Sequence, residues 1–304
     1  MEIGVSKQLG AFLRNPVAVK ELRGRMRGRR AFVVLTVYLI IMSGFISLVY
    51  MAYASAASGP FGPDPRTAGK VVFGAVLGVQ VFLVIFVGPA FTAGAISGEK
   101  ERQTYDLLRT TLLSARSFVT GKLLSALSYV FLLIFAAIPL QSIAFLLGGV
   151  SFLELFLSQV IVAVAAVTFA LYGLFCSSSM RTTLAASVAT FAGALFVTAG
   201  IPLIVLLFSI FLGPILFSTA SVGWISETLV AYVGLLLAAT NLPATLVVSD
   251  QFLLQEDALF LFTTSLSGRS VWLFSPWPVF LLLYILLAFL LYWLCVRNVR
   301  RISK

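Results

Sequence analysis

The chain has 304 residues, 60% hydrophobic and 11% charged, whereas a soluble globular domain has about 45–50% and about 25%. Its net charge of +10 does not indicate a nucleic-acid partner. Most Lys and Arg sit in short segments beside long uncharged apolar runs, the topology signal of a polytopic helical membrane protein. The complete absence of His argues against haem, zinc and His-based proton relays. A membrane barrel would need short alternating segments, and none stands out.

Residues 1–30 carry eight basic side chains. Asn15 and Pro16 read as an N-cap and first helical position. From there Val19, Leu22 and Met26 share one face, while Lys20, Arg23, Arg27 and Arg30 occupy others and Glu21 pairs with Arg25 at i,i+4. This predicts a cytoplasmic amphipathic interface helix at the membrane surface. Either it docks on a partner protein, the preferred reading, or it is a plain positive-inside anchor against membrane lipids.

Six spans follow. The first is 31–54, with an uncleaved Ala54-Ser55-Ala56 that mimics a signal-peptidase site. The second, 71–97, is kinked at Pro89; Gly74/Gly78 and Gly94/Gly98 have the spacing that lets another helix approach. The third is 123–147. Gly148 to Ser151 make a tight turn, and Glu154 opens the fourth span, to Phe175. The fifth starts near Leu184 in an apolar stretch, 184–217, too long for one straight crossing and interrupted by Pro202 and Pro214. The sixth is 276–296, with Trp277 as interfacial anchor. Cys176 and Cys295, at ends of spans, read as small apolar residues, not as a disulfide framework.

Between spans two and three lies Gly98–Lys122, with eight charged residues. Burying them at about 2.5–3.5 kcal/mol each would cost more than about 20 kcal/mol, so the segment lies outside the lipid. Glu99 and Glu101 are placed at the start of a helical stretch and Arg109 near its end, each suited to the helix dipole. Arg102 and Asp106 are i,i+4, and Tyr105, Leu108 and Leu112 share a face. Thr111 or Ser114 caps a second short helix leading through Lys122 into span three. The result is an apolar ridge edged by charge, suited to dock a cytosolic protein; the competing reading is a solvated connector.

Residues 218–275 hold Glu227, Asp250, Glu256 and Asp257 against a single Arg269. Few basic residues suit the outer side, and six spans then leave both basic termini in the cytoplasm. Leu229–Val248 is hydrophobic enough to span but is broken by Asn241 and Pro243, so it is expected to be an external re-entrant or surface-lying segment. Within the spans Gln80, Gln141, Gln159 and Asn241 are the main polar side chains. Interhelical hydrogen bonding explains them without a transport role, and carboxylates at mid-membrane, as an ion-coupled transporter would use, are missing. Gly69-Lys70 and Gly121-Lys122 lack the upstream Gly of a P-loop, so the chain carries no nucleotide-binding motif, and no catalytic or metal-ligating constellation stands out.

ISGEKERQTYDLLRTTLLSARSFVTGKLL resembles the cytoplasmic segment of the ABC transporter type-2 permeases. The matching positions are Glu99, Glu101, Thr104, Leu107, Leu108, Thr111, Leu113, Ser114, Gly121 and Lys122; Leu112 stands where that family often has proline. NPVAVKELRGRMRGRRAF resembles the family's N-terminal interface helix, and GGVS at 148–151 and FCSSSMRTTLAA at 175–186 resemble its later loops. The resemblance implies a single permease domain over 1–304, all-α, in the plasma membrane of a prokaryote. It would pair with a second copy or a sister permease and export lipids, glycans, peptides or drugs. ATP and Mg would be bound by a separate ATP-binding subunit. That subunit would dock on Glu99, Glu101, Arg102, Thr104, Tyr105, Leu107, Leu108, Ser114 and Arg116 of the coupling loop, and on Lys20, Glu21, Arg23, Arg27 and Arg30 of the interface helix. The alternative is a non-transporting membrane anchor or assembly subunit that recruits a cytosolic ATPase through the same surfaces.

Overall fold

Without water to bond to, a backbone in lipid satisfies its N–H and C=O groups only in a helix or a closed barrel, so long apolar runs fold as helices. The fold is that of a computed structural model describing residues 29–57, 67–103, 114–218, 224–255, 259–266 and 269–301. In chain order the helices are α1 Arg29–Ala57, α2 Thr67–Phe82, α3 Gly88–Ala93, α4 Ser97–Glu101, α5 Ala115–Leu147, α6 Phe152–Ser179, α7 Thr183–Leu195, α8 Ile201–Ser218, α9 Trp224–Ala238, α10 Leu242–Gln255 and α11 Pro276–Arg301. Two strands, β1 Leu261–Leu266 and β2 Arg269–Phe274, precede α11. Six helical stretches are long and apolar enough to cross a membrane: Phe32–Ala56, Thr67–Glu101, Ala115–Leu147, Phe152–Ser179, Thr183–Phe211 and Pro276–Arg300. They match the six expected spans one for one.

α6 is the central post, packed by α3, α5, α7 and α11. Its inward side is built from Val162, Ala165, Ala166 and Ala170, all fully buried, and small side chains let neighbouring backbones come close. At Gly173 a Cβ would lie 2.3 Å from Thr92 Oγ1 on α3, so only glycine fits. Gly69 plays the same part between α2 and the end of α5, where a Cβ would meet the Gly148 carbonyl oxygen at 1.9 Å. The predicted Gly94/Gly98 pair faces the Thr183 methyl group at 3.9 and 3.4 Å, whereas Gly74 and Gly78 have nothing within 4 Å.

Two of the prolines coincide with a local change of helix type, whereas the interruption expected at Pro214 does not occur, since α8 runs through it. A π-helical turn, Leu83–Val87, precedes Pro89, and another, Phe196–Gly200, precedes Pro202. Proline lacks the N–H that would bond four residues back, so Thr198 loses its usual donor to Pro202. Continuous helix through the π turn makes 183–218 one long element instead of a broken one.

Alternating helix directions give the bundle two ends. At one, Thr67 Oγ1 donates to the Tyr53 hydroxyl at 3.1 Å. There Gly148 and Gly149 take φ of 86° and 88°, and Ser151 and Glu154 form a reciprocal capping box at 3.1 and 2.8 Å. At this same end α9 enters the bundle and α10 leaves it. Their turn lies near mid-depth, because the Tyr284 hydroxyl, about 12 Å into α11, donates to the Thr240 carbonyl oxygen at 3.0 Å. Asn241 Nδ2 donates to the carbonyl oxygens of Val197 and Thr198 at 2.9 and 3.0 Å, supplying the donor that Pro202 lacks. Its Oδ1 accepts from Ala244 N at 3.1 Å and caps α10. The helix break expected at Asn241 and Pro243 is thus a turn between α9 and α10, held by the Asn241 side chain.

Two details differ from expectation. The segment before α11 is not wholly helical: β1 and β2 pair antiparallel, from Leu261↔Phe274 to Leu266↔Arg269. Phe262 and Leu273 are buried against Leu235 while Trp272 is 62% exposed, the alternation of a half-buried strand. Helix α5 also runs unbroken from Ala115 to Leu147, so Ser114 caps the third span itself and not a separate short helix.

Candidate functional site at the charged end

The opposite end carries the charged stretch. Of the expected docking residues, Glu99, Glu101, Arg102, Ser114 and Arg116 are described. Thr104, Tyr105, Leu107 and Leu108 lie outside the described residues, as do Lys20, Glu21, Arg23 and Arg27, while Arg30 falls in the first turn of α1. Glu99 lies in the first turn of a short helix, as expected, and Glu101 is its last residue. They end the second span, in the short helix α4, which stops at Arg102; Gln103 then takes a left-handed φ of 57° and turns the chain.

This end of α4 is tied to three other elements. Ser177 Oγ on α6 accepts from the backbone N–H groups of Ile96 and Ser97 at 2.9 and 3.0 Å. Lys100 Nζ donates to the carbonyl oxygens of Ser178 and Met180 at 2.6 and 3.1 Å, at the C-terminus of α6. Glu101 accepts from Thr183 N at 2.9 Å and from Thr183 Oγ1 at 2.8 Å, at the N-terminus of α7. Consecutive residues of opposite charge therefore hold the two helix ends that flank residues 180–182. The cation meets free carbonyls and the anion meets free N–H groups, as the helix dipole favours. Glu99 pairs with Lys122 of α5, which is also 5.6 Å from the Phe118 ring centroid. On α11, Asn298 Nδ2 donates to Ser178 Oγ and Ser179 Oγ at 3.3 and 2.9 Å.

Sequence reasoning ranked Glu99 and Glu101 but missed Ser177, Ser178, Thr183 and Asn298. Short polar residues at a helix turn have no distinctive spacing. The one signal was the run Ser177–Ser179 with Thr182 and Thr183, richer in hydroxyls than a connector requires.

Two further polar groups lie deeper. Gln141 Nε2 and Gln159 Nε2 both donate to Gln80 Oε1, at 2.9 and 3.1 Å, which joins spans two, three and four. The expected interhelical role of these amides holds, and Asn241 shares it through its bonds to the Val197 and Thr198 carbonyl oxygens. Near the hairpin end, Glu154, Asp250, Ser158 and Ser249 border a cavity of about 20 Å³, room for about one water. Burial holds the Asp250 carboxyl above the usual carboxylate range, the Glu154 charge adds to this, and Lys70 opposes it. Cys176 and Cys295 are buried free thiols.

Among the described residues no group of three or more His, Cys, Asp or Glu side chains could hold a metal ion. The chain matches no known protein-family model, and the comparison with curated proteins finds no match.

Proposed function

We propose that this chain is the membrane-spanning permease subunit of an ATP-binding-cassette exporter, driven by ATP hydrolysed on a separate subunit. The observation that carries this reading is the anchoring of Glu99, Lys100 and Glu101 to α5, α6 and α7. A force applied to the segment that follows Gln103 reaches three spans directly. A solvated connector has no need of such ties. Six apolar spans, a sequence without a nucleotide-binding motif and the resemblance of Gly98–Lys122 to a coupling loop support the same reading. In this arrangement the loop and both termini face the cytoplasm of a prokaryotic cell, the re-entrant α9–α10 pair faces outward, and ATP and Mg belong to the partner. The peripheral spans α1 and α8 expose Phe32, Ile40, Leu203 and Phe211, surfaces for lipid or for a second permease copy.

The test is co-purification with the ATP-binding subunit encoded nearest to this chain, followed by reconstitution. Leu107→Asp with Leu108→Asp should abolish binding and stimulated ATP hydrolysis while the spans remain folded. Glu99→Ala with Glu101→Ala should uncouple hydrolysis from transport, because it also loosens the ties to α5 and α7. Normal coupling in both variants overturns the assignment. Tight ATPase binding without ATP-dependent flux would instead favour an anchor or assembly subunit.

A further inference from the structure

Near the charged end, one stripe of α11 presents Phe289, Tyr292, Trp293, Val296, Arg297 and Arg300, residues three, four, seven, eight and eleven positions beyond the first. With Arg116 from the first turn of α5, they line an open cavity of about 750 Å³. The Arg297 guanidinium lies 5.3 Å from the Trp293 ring centroid, a cation–π contact that turns it along the helix surface. No acidic side chain is among the described residues that line this cavity. A second cavity of about 400 Å³ shares Phe289 and Tyr292 with the first. It runs between α5, α6 and α11 past Leu123, Phe131, Val164 and Ile285. Its lining is apolar apart from the Tyr292 and Thr168 hydroxyls, and Thr168 Oγ1 is already bonded to the Val164 and Tyr284 carbonyl oxygens at 2.9 and 3.2 Å.

We infer that the two cavities form one binding site for an anionic phospholipid of the surrounding bilayer. The phosphate sits among Arg116, Arg297 and Arg300, where delocalised guanidinium groups at the helix ends match its charge and geometry. Tyr292 and Trp293 lie at the level of the glycerol, the depth at which amphipathic rings are favoured. One acyl chain follows the apolar slot toward Phe131 and Ile285. A soluble phosphate would have no use for the slot, and an apolar helix would have none for three arginines. Charge complementarity and the continuity of the two cavities therefore select a lipid. The site is independent of whether the chain is driven by an ATPase.

The experiment is native mass spectrometry of the purified full chain with phosphatidylglycerol or phosphatidylcholine of identical acyl chains. The anionic lipid should bind about tenfold more tightly. That preference should vanish in Arg116→Gln/Arg297→Gln/Arg300→Gln and persist in Arg181→Gln/Arg269→Gln, which removes charge elsewhere. Ala288→Trp, which fills the slot, should weaken both lipids. Selectivity that survives the triple substitution, or is lost equally in the control, overturns the site. So does displacement of the lipid by glycerol phosphate at equal concentration. A second measurement leaves every arginine in place. With Trp224, Trp272 and Trp277 changed to Phe, brominated phosphatidylglycerol should quench Trp293 fluorescence several-fold more than brominated phosphatidylcholine, and equal quenching refutes the proposal.

Discussion

Glu101 accepts hydrogen bonds from both the backbone N–H and the hydroxyl of Thr183, which closes α4 onto the first turn of α7. The paired interaction from Lys100 to the carbonyl oxygens of Ser178 and Met180 makes this a two-handed grip on one helix–helix turn. The backbone N–H and the hydroxyl of Thr183 hold the Glu101 carboxylate at a helix N-terminus, an arrangement that works even at an exposed site.

Replacing Glu101 by Gln should therefore loosen the start of α7. Amide exchange over residues 183–186 should quicken several-fold, and Thr183→Val should have a smaller effect because the backbone donor remains. Hydrogen exchange followed by mass spectrometry reads both. Exchange in Glu101→Gln equal to wild type would show that the contact does not hold the turn.

Gln80 is fully buried and accepts from two other amides, so its removal leaves both donors without their acceptor inside the bundle. Gln80→Leu should cost about 1–2 kcal/mol. Adding Gln141→Leu should recover part of that loss, since fewer unpaired polar groups remain. Thermal unfolding of the detergent-solubilised protein measures both steps, and a double variant less stable than the sum of the singles contradicts the network.

Asp250 predicts a pH dependence of definite sign. Burial first, and then the Glu154 charge, raise its folded-state pKa above that of the unfolded chain, with Lys70 opposing. The native state then holds its proton to higher pH than the unfolded state does. Its contribution to stability is full below an unfolded pKa of about 3.9 and is lost as pH rises through the higher folded value. Asp250→Asn should stabilise the protein near neutral pH and flatten the melting profile across that window. Parallel profiles for the two proteins would remove Asp250 as the cause.

Orientation is open to direct labelling in a background lacking Cys176 and Cys295. Trp272 is 62% exposed on the hairpin, and Arg181 is exposed at the opposite end. A cysteine at Trp272 or Asp250 should react with an impermeant maleimide on intact cells, the half-buried Asp250 position more slowly. Cysteines at Arg181 and Arg109 should react only after permeabilisation. Labelling of Trp272 and Arg181 positions from the same side would contradict the six-span topology.

By itself the sequence determined the number of the spans and their approximate positions. A run such as Leu123–Leu147, free of charge, has no soluble alternative, and charge at Glu99, Lys100 and Glu101 cannot stay in lipid. It also located the disruptions at Pro89, Pro202 and Asn241, because a missing donor or a side-chain amide acts locally. Partner choice was decided only by tertiary structure. Nothing in the spacing of Asn241 and Pro202 shows that the amide of one replaces the donor missing from the other. Likewise the sequence does not show that Lys100 and Glu101 meet the termini of α6 and α7, which only the packed bundle brings beside them. Apolar periodicity reports which residues avoid water, but in a bundle wrapped by lipid both faces of a helix avoid it, so the pattern cannot say which face meets which neighbour.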